Sequence, residues 1–360
     1  MKAKSRLDHL RKKMKDLSLH GVLITSKNNC HYISGFTGSN GYIFITLNET
    51  YLFTDSRYIN QARSKMEDWR IRPIMKDFAC IQEILFEIKK TIKNDVSFNI
   101  GFESKHISFD DFSRLKNSID GMVSLQPLTD LIESIRDVKD SGEICILNEA
   151  VALADSIMQK ILNDVAPGIS ELEISNLIDH YIVKSTAEGV SFPSIVATGL
   201  NSAFPHHMPT DQVIKKGDSL IIDMGVLYKG YRSDISRTVF IGEKEEDKFS
   251  EIYSVVLGSQ MKACQMATPG VKGGYLDHIA REFIAAKGYG DYFIHGLGHG
   301  IGLDIHEKPM VVSSSDDIID VGSVFTLEPG IYVQGWGGVR IEDVFIMESN
   351  GPKRLTQSPK

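Results

Sequence analysis

Between residues 143 and 162 the apolar side chains Leu147, Ala150, Val151, Ala154, Ile157, Met158, Ile161 and Leu162 recur at a spacing of three to four. That period predicts one long amphipathic helix, and Pro167-Gly168 ends it. Ser170 follows with Glu173 three positions on, the pairing that opens a second helix with a capping box. The same punctuation returns further along: a helical stretch from about 249 runs into Ala267-Thr268-Pro269-Gly270-Val271, which matches Val165-Ala166-Pro167-Gly168-Ile169. Each stop is followed by a second helix and then by strand-like sequence carrying His and acidic residues. The pattern predicts one helix–helix–sheet unit used twice, with a site enclosed by the two halves.

Ahead of residue 143 the rhythm is different. A charged helix over 5–17, a strand at 21–25, two strands at 42–46 and 51–54 around Asn48-Glu49, helices near 57–66, 79–92 and 109–118 and a strand near 96–102 alternate as in a small α/β domain. The expected organisation is an N-terminal α/β domain over 1–130, a charged linker over 131–142 and a second, α+β domain over 143–360. A length of 360 residues fits two cores better than one. The net charge of −7 gives no basic footprint for nucleic acid. No apolar run approaches the roughly 18 residues needed to span a bilayer. Four widely separated cysteines without a C-x-x-C pair fit a reducing compartment, so the expected location is the cytoplasm.

The chemistry concentrates in the second domain. The segments 220–226 and 231–241 read as strands joined by a tight turn at Lys229-Gly230. Asp223 and Asp234 are eleven apart, and across a two-residue turn that odd separation places both side chains on one face as direct or diagonal neighbours. Asp223 interrupts an apolar run, so the shared face is buried, and two buried carboxylates repel unless a cation lies between them. His295, His299 and His306 follow within twelve residues, spaced by glycines. His206 and His207 sit between Pro205 and Pro209 in a loop. Glu328 and Glu342 end or interrupt apolar, strand-like runs. Four acids and an imidazole, with no thiolate, suit manganese or a similar hard divalent ion. Two such ions about 3.5–4 Å apart can activate a bridging water and polarise a carbonyl.

These motifs, in this order over roughly residues 140–355, resemble the pita-bread metallopeptidases: aminopeptidase P, prolidase and methionine aminopeptidase. The resemblance implies a pita-bread domain with an internal pseudo-two-fold repeat and two divalent metal ions, manganese first, with cobalt or zinc as alternatives. Asp223, Asp234, His299, Glu328 and Glu342 match the metal ligands, with Asp234 and Glu342 bridging. Glu328, His206 and His306 match the catalytic positions, and His295, Tyr332 and Arg340 match the lining of a proline pocket. The stretches Tyr32-Ile33-Ser34-Gly35-Phe36-Thr37-Gly38-Ser39-Asn40-Gly41 and Thr54-Asp55-Ser56-Arg57-Tyr58 are similar to the creatinase-type N-terminal domain of the proline-specific branch. One position departs from the pattern: family members often carry Gly after the His of the Pro-His pair, where this chain has His207.

The implied reaction is hydrolysis of the N-terminal Xaa-Pro bond by a hydroxide bridging the two metals. The implied substrates are peptides with proline second, and the implied assembly is a homodimer. Because nothing in the sequence caps the far side of the site, an Xaa-Pro aminopeptidase is expected, with an Xaa-Pro dipeptidase as the alternative. More remote are a methionine aminopeptidase, which normally lacks the N-terminal domain, a creatinase-like hydrolase and a non-catalytic binding module of the same fold. The last two usually lack the five ligands that are present here.

Overall fold

The computed structural model describes residues 2–91, 98–242 and 247–360. It divides into two compact units, Met1–Ile135 and Arg136–Lys360. In the first, six strands form one sheet in the order Arg70–Pro73, Thr50–Thr54, Gly41–Thr46, Gly21–Ile24, Asn99–Glu103, Ser124–Leu128. Gly41–Thr46 runs antiparallel to both neighbours, and the other pairings are parallel. Phe44, Tyr51, Phe53, Ile81, Ile84 and Ile100 centre its core. The hairpin expected around Asn48-Glu49 is present, with Thr46 Oγ1 accepting the N–H groups of Asn48 and Glu49.

Three elements were not visible in the apolar pattern. The helix Lys27–Ser34 is too short to declare a period, and its caps define it: Ser26 accepts from Asn29 N, and Gly35 closes it at φ 75°. The strands Arg70–Pro73 and Ser124–Leu128 are the two edges of the sheet, only partly buried and carrying proline, so neither alternates cleanly. The strand expected at 96–102 is found at Asn99–Glu103, and its first two expected positions lie outside the described residues, as does Ile92 of the helix expected over 79–92. The stretch 131–142, expected as a linker, has structure of its own. It contains the short helix Glu133–Arg136 and buries Leu131, Ile132, Arg136 and Lys139.

In the second unit the helix–helix–sheet module occurs twice. Helices Ser141–Asp164 and Glu171–Lys184 pack on a sheet of Ile195–Thr198, Ser219–Met224 and Ile235–Phe240. Helices Asp247–Met266 and Gly273–Ala286 pack on a sheet that includes Gly298–Gly300, Val324–Leu327 and Asp343–Glu348. Both Pro-Gly stops are built alike. Gly168 and Gly270 take φ of 102° and 86°, which favour glycine, and their N–H groups donate to Ile214 and Ile319. The Ser170/Glu173 capping box is formed, and Asp140/Glu143 makes a second one at the start of the long helix.

Arg237 ties the two halves together. Fully buried on a strand of the first sheet, its guanidinium donates to the carbonyls of Ser236, Glu342, Ser358 and Pro359 and pairs with Asp343 of the second sheet at 2.9 Å. Among the described residues no helix is long and apolar enough to cross a membrane.

Candidate metal centre

The hairpin that carries the two aspartates turns at Lys229-Gly230, both at positive φ (49° and 80°), as a two-residue turn of the primed kind requires. Its ladder breaks into two pieces, Val226–Tyr228 with Tyr231–Arg232 and Ser219–Met224 with Ile235–Phe240, on one continuous register. Asp223 pairs with Ser236, so Asp234 stands diagonally from Asp223 on the same face. At the break Gly225 admits the opposite chain, since a Cβ there would lie 1.9 Å from Ser233 O. Asp234 therefore sits beside, not within, a strand.

The other two acids and the imidazole arrive from the second sheet. His299 is central in Gly298–Gly300; its N–H donates to Thr326 Oγ1, and its Nδ1–H donates to Gly300 O at 3.1 Å. With Nδ1 engaged, Nε2 faces Glu328 Oε1 at 3.3 Å and Asp234 Oδ2 at 3.7 Å. Glu328 directly follows the strand Val324–Leu327, and Glu342 occupies the gap between Gly337–Arg340 and Asp343–Glu348. Ligand atoms of Asp234, His299 and Glu342 all lie within 4.8 Å of one another.

Protein alone leaves this cluster unbalanced. Asp223 Oδ1, Asp234 Oδ1 and Glu342 Oε1 are buried and accept no hydrogen bond. Burial, then Glu342, Asp223 and Glu328, hold the Asp234 carboxyl well above its ordinary range. Burial, then Glu328 and Asp223, do the same for Glu342. Burial also raises Asp223 against the pull of Arg340. For Glu328 burial works against the charged form, but the hydrogen bond and charge of His299 bring it below its usual value. Unpaired carboxylate oxygens in a water-poor cavity call for protons or cations. The oxygen-rich donor set with one imidazole fits hard divalent ions.

A pH consequence follows. Asp234 and Glu342 titrate above their unfolded values of 3.8 and 4.5. Each therefore supports the metal-free fold while protonated, and that support is lost as pH rises through the raised value. Manganese binding should therefore expel protons. Calorimetry at about pH 6 in buffers of differing ionisation enthalpy is expected to show net proton release, and metal affinity should rise with pH; uptake without proton release would contradict the ligand set.

Around the acids lies a hydrogen-bonded chain. Arg340 donates to Asp223 Oδ2 at 2.6 Å, to Ser236 Oγ at 2.9 Å, to Tyr332 Oη at 2.9 Å and to Pro205 O at 3.2 Å. Tyr332 in turn donates to His295 Nε2 at 2.9 Å, while His295 Nδ1–H donates to Gly296 O. Burial pushes Tyr332 up to about 12 and lowers His295, so the phenol stays protonated and the imidazole neutral. Arg340, expected among the pocket-lining residues, is 3% exposed and fully engaged; it holds Asp223 and Tyr332 from behind. His306 is exposed, its ring edge-on to His299 at a centroid distance of 4.3 Å. Partial shielding of the ring, then His299, lowers its pKa. Its loop is stapled by buried Glu307, which pairs with Arg136 and, at 3.0 Å, with Lys139. His206 is exposed in the 204–210 loop.

Sequence reasoning missed Ser236 and Glu307. Ser236 lies two residues beyond Asp234 on the same face and bonds both Glu342 Oε2 and Arg340, so the period of two was the available signal. Nothing local marks Glu307, whose partners are about 170 residues away.

Residues 146–349 match metallopeptidase family M24, and residues 6–138 match the creatinase/prolidase N-terminal domain. The chain is 36% identical to the Xaa-Pro dipeptidase of Pyrococcus furiosus over 99% of both chains. Its fold superposes on the Xaa-Pro dipeptidase from Bacillus anthracis with a TM-score of 0.92 and 38% identity, covering 99% of this chain and 98% of the other. The X-Pro aminopeptidase from Thermotoga maritima gives 0.87 and 35%, covering 96% and 98%.

Proposed function

Because the chain belongs to metallopeptidase family M24, with a creatinase/prolidase N-terminal domain before it, we propose that it hydrolyses the bond between an N-terminal residue and a following proline, using two divalent metal ions. The observation that carries the proposal is the trio of buried carboxylate oxygens without a hydrogen-bond partner, two of them on acids that gather with one imidazole. Asp223, Asp234, His299, Glu328 and Glu342 would hold the ions, manganese being the first choice for this donor set. When bound, such ions lower the pKa of water and polarise the scissile carbonyl.

The chain's own groups supply the rest. The Glu328 side chain is 19% exposed, against 11% for Asp223 and 7% for Asp234. Its backbone is fixed by the bond from Glu328 N to Leu297 O. It would take the proton of the attacking water at a carboxylate oxygen and pass it to the imide nitrogen, which lacks its own proton. His306 and His206, exposed beside the acids, would donate hydrogen bonds to the developing oxyanion. His295 and Tyr332, locked by their mutual bond, would form a wall for the proline ring. The remaining negative charge would attract the substrate's free ammonium group and so restrict cleavage to the N-terminus.

Of the finer readings, dipeptide hydrolysis draws support from the full-length Xaa-Pro dipeptidase relatives. The aminopeptidase expected from the sequence draws it from the Thermotoga structure. We place the dipeptidase first. Purified protein with manganese is expected to cleave Gly-Pro, to act weakly on Gly-Pro-Ala and to lose both activities in EDTA. Faster turnover of Gly-Pro-Ala would reverse the order, and activity that survives EDTA would sink the metal mechanism. A cytoplasmic homodimer remains part of the proposal.

A further inference from the structure

Glu171 is fully buried at the first position of the helix Glu171–Lys184, where an acid ordinarily faces its own helix N-terminus. Here that task belongs to Ser170 and Glu173, which make the capping box. The Glu171 carboxylate turns instead to the loop after strand Ile195–Thr198. Oε1 accepts from Thr198 N at 2.8 Å and Asn201 Nδ2 at 3.0 Å. Oε2 accepts from His207 Nε2 at 2.8 Å, Thr210 N at 3.1 Å and Thr210 Oγ1 at 2.7 Å. One carboxylate thus fastens both ends of the segment 198–210. On the other side of His206, the Pro205 carbonyl accepts from Arg340, which grips Asp223. His206 is therefore clamped between two anchors, one on the acid cluster and one on Glu171.

We infer that Glu171 and His207 are positioning residues: the imidazole–carboxylate bond between them holds the loop so that His206 faces the metal centre. The inference rests on the peptidase reading only for the task of His206, not for the clamp. The second imidazole at 207 replaces a small residue's freedom with a fixed tether, and a tether of this kind matters because a reacting group displaced by about 1 Å can lose on the order of 100-fold in rate.

The test uses His207→Gly, His207→Gln, His206→Ala and the His206→Ala/His207→Gly pair, all manganese-loaded. His207→Gly is expected to lower kcat/KM on Gly-Pro by roughly 10- to 100-fold with metal content unchanged, and to speed amide hydrogen exchange across 204–210. His207→Gln, whose side-chain N–H reaches about as far, should restore both properties. In the His206→Ala background His207→Gly should add no further loss, because His207 acts through His206. Independent, multiplying losses, or unchanged exchange in His207→Gly, would overturn the clamp. Should the wild-type protein fail to cleave any Xaa-Pro peptide, the peptidase reading falls, and the exchange rates alone then decide the clamp.

Discussion

Asp234→Asn is expected to lower bound manganese from two ions per chain to one or fewer, and kcat/KM on Gly-Pro by at least about 1000-fold, the equivalent of about 4 kcal/mol. Asp234 is the aspartate nearest the imidazole, shares its cluster with Glu342, and is held well above its ordinary range by burial and by three neighbouring acids. The amide keeps the volume and removes the charge. In the metal-free state that removal relieves repulsion, so the variant should be more stable than metal-free wild type by about 1–3 kcal/mol at about pH 8. Opposite signs for stability and activity distinguish a functional cluster from a structural one. Dialysis with elemental analysis, steady-state kinetics and denaturant melts read all three quantities. Two retained ions with near-normal turnover would remove Asp234 from the ligand set.

Glu328→Gln is expected to lower kcat by about 100- to 1000-fold while KM changes little and at least one ion stays bound. The carboxylate stands 3.3 Å from His299 Nε2 and is the one acid of the cluster held below its usual pKa, so it is ionised and able to accept a proton. A glutamine keeps the shape and cannot take the proton. If kcat remained near wild type with metals bound, proton transfer would have to be assigned elsewhere, and Glu328 would be a ligand only.

Much of this site could be read before any coordinates. The parity of Asp223 and Asp234 about Lys229-Gly230 is a local property, because side chains in a strand alternate with period two and the turn fixes the register. The duplicated helix–helix–sheet unit announced itself through two Pro-Gly stops that differ in little but position. What stayed hidden depends on distant partners. The resemblance places Arg340 in the lining of a proline pocket, but its simultaneous engagement with Asp223, Ser236, Tyr332 and Pro205 was not legible. Glu171 draws no notice in the sequence, since its side chain serves a loop about 30 residues downstream. Residues 131–142 looked like a linker because Arg136 and Lys139 are charged, yet both are buried by ion pairing with Glu307.

The central claim is that distant acids share a water-poor cavity because paired cations neutralise them. Crystals grown with manganese and measured at its absorption edge test it most directly. The account predicts two anomalous peaks about 3.5–4 Å apart, bounded by Asp223, Asp234, His299, Glu328 and Glu342. No peak among these side chains, or peaks only at other acidic residues, would contradict it.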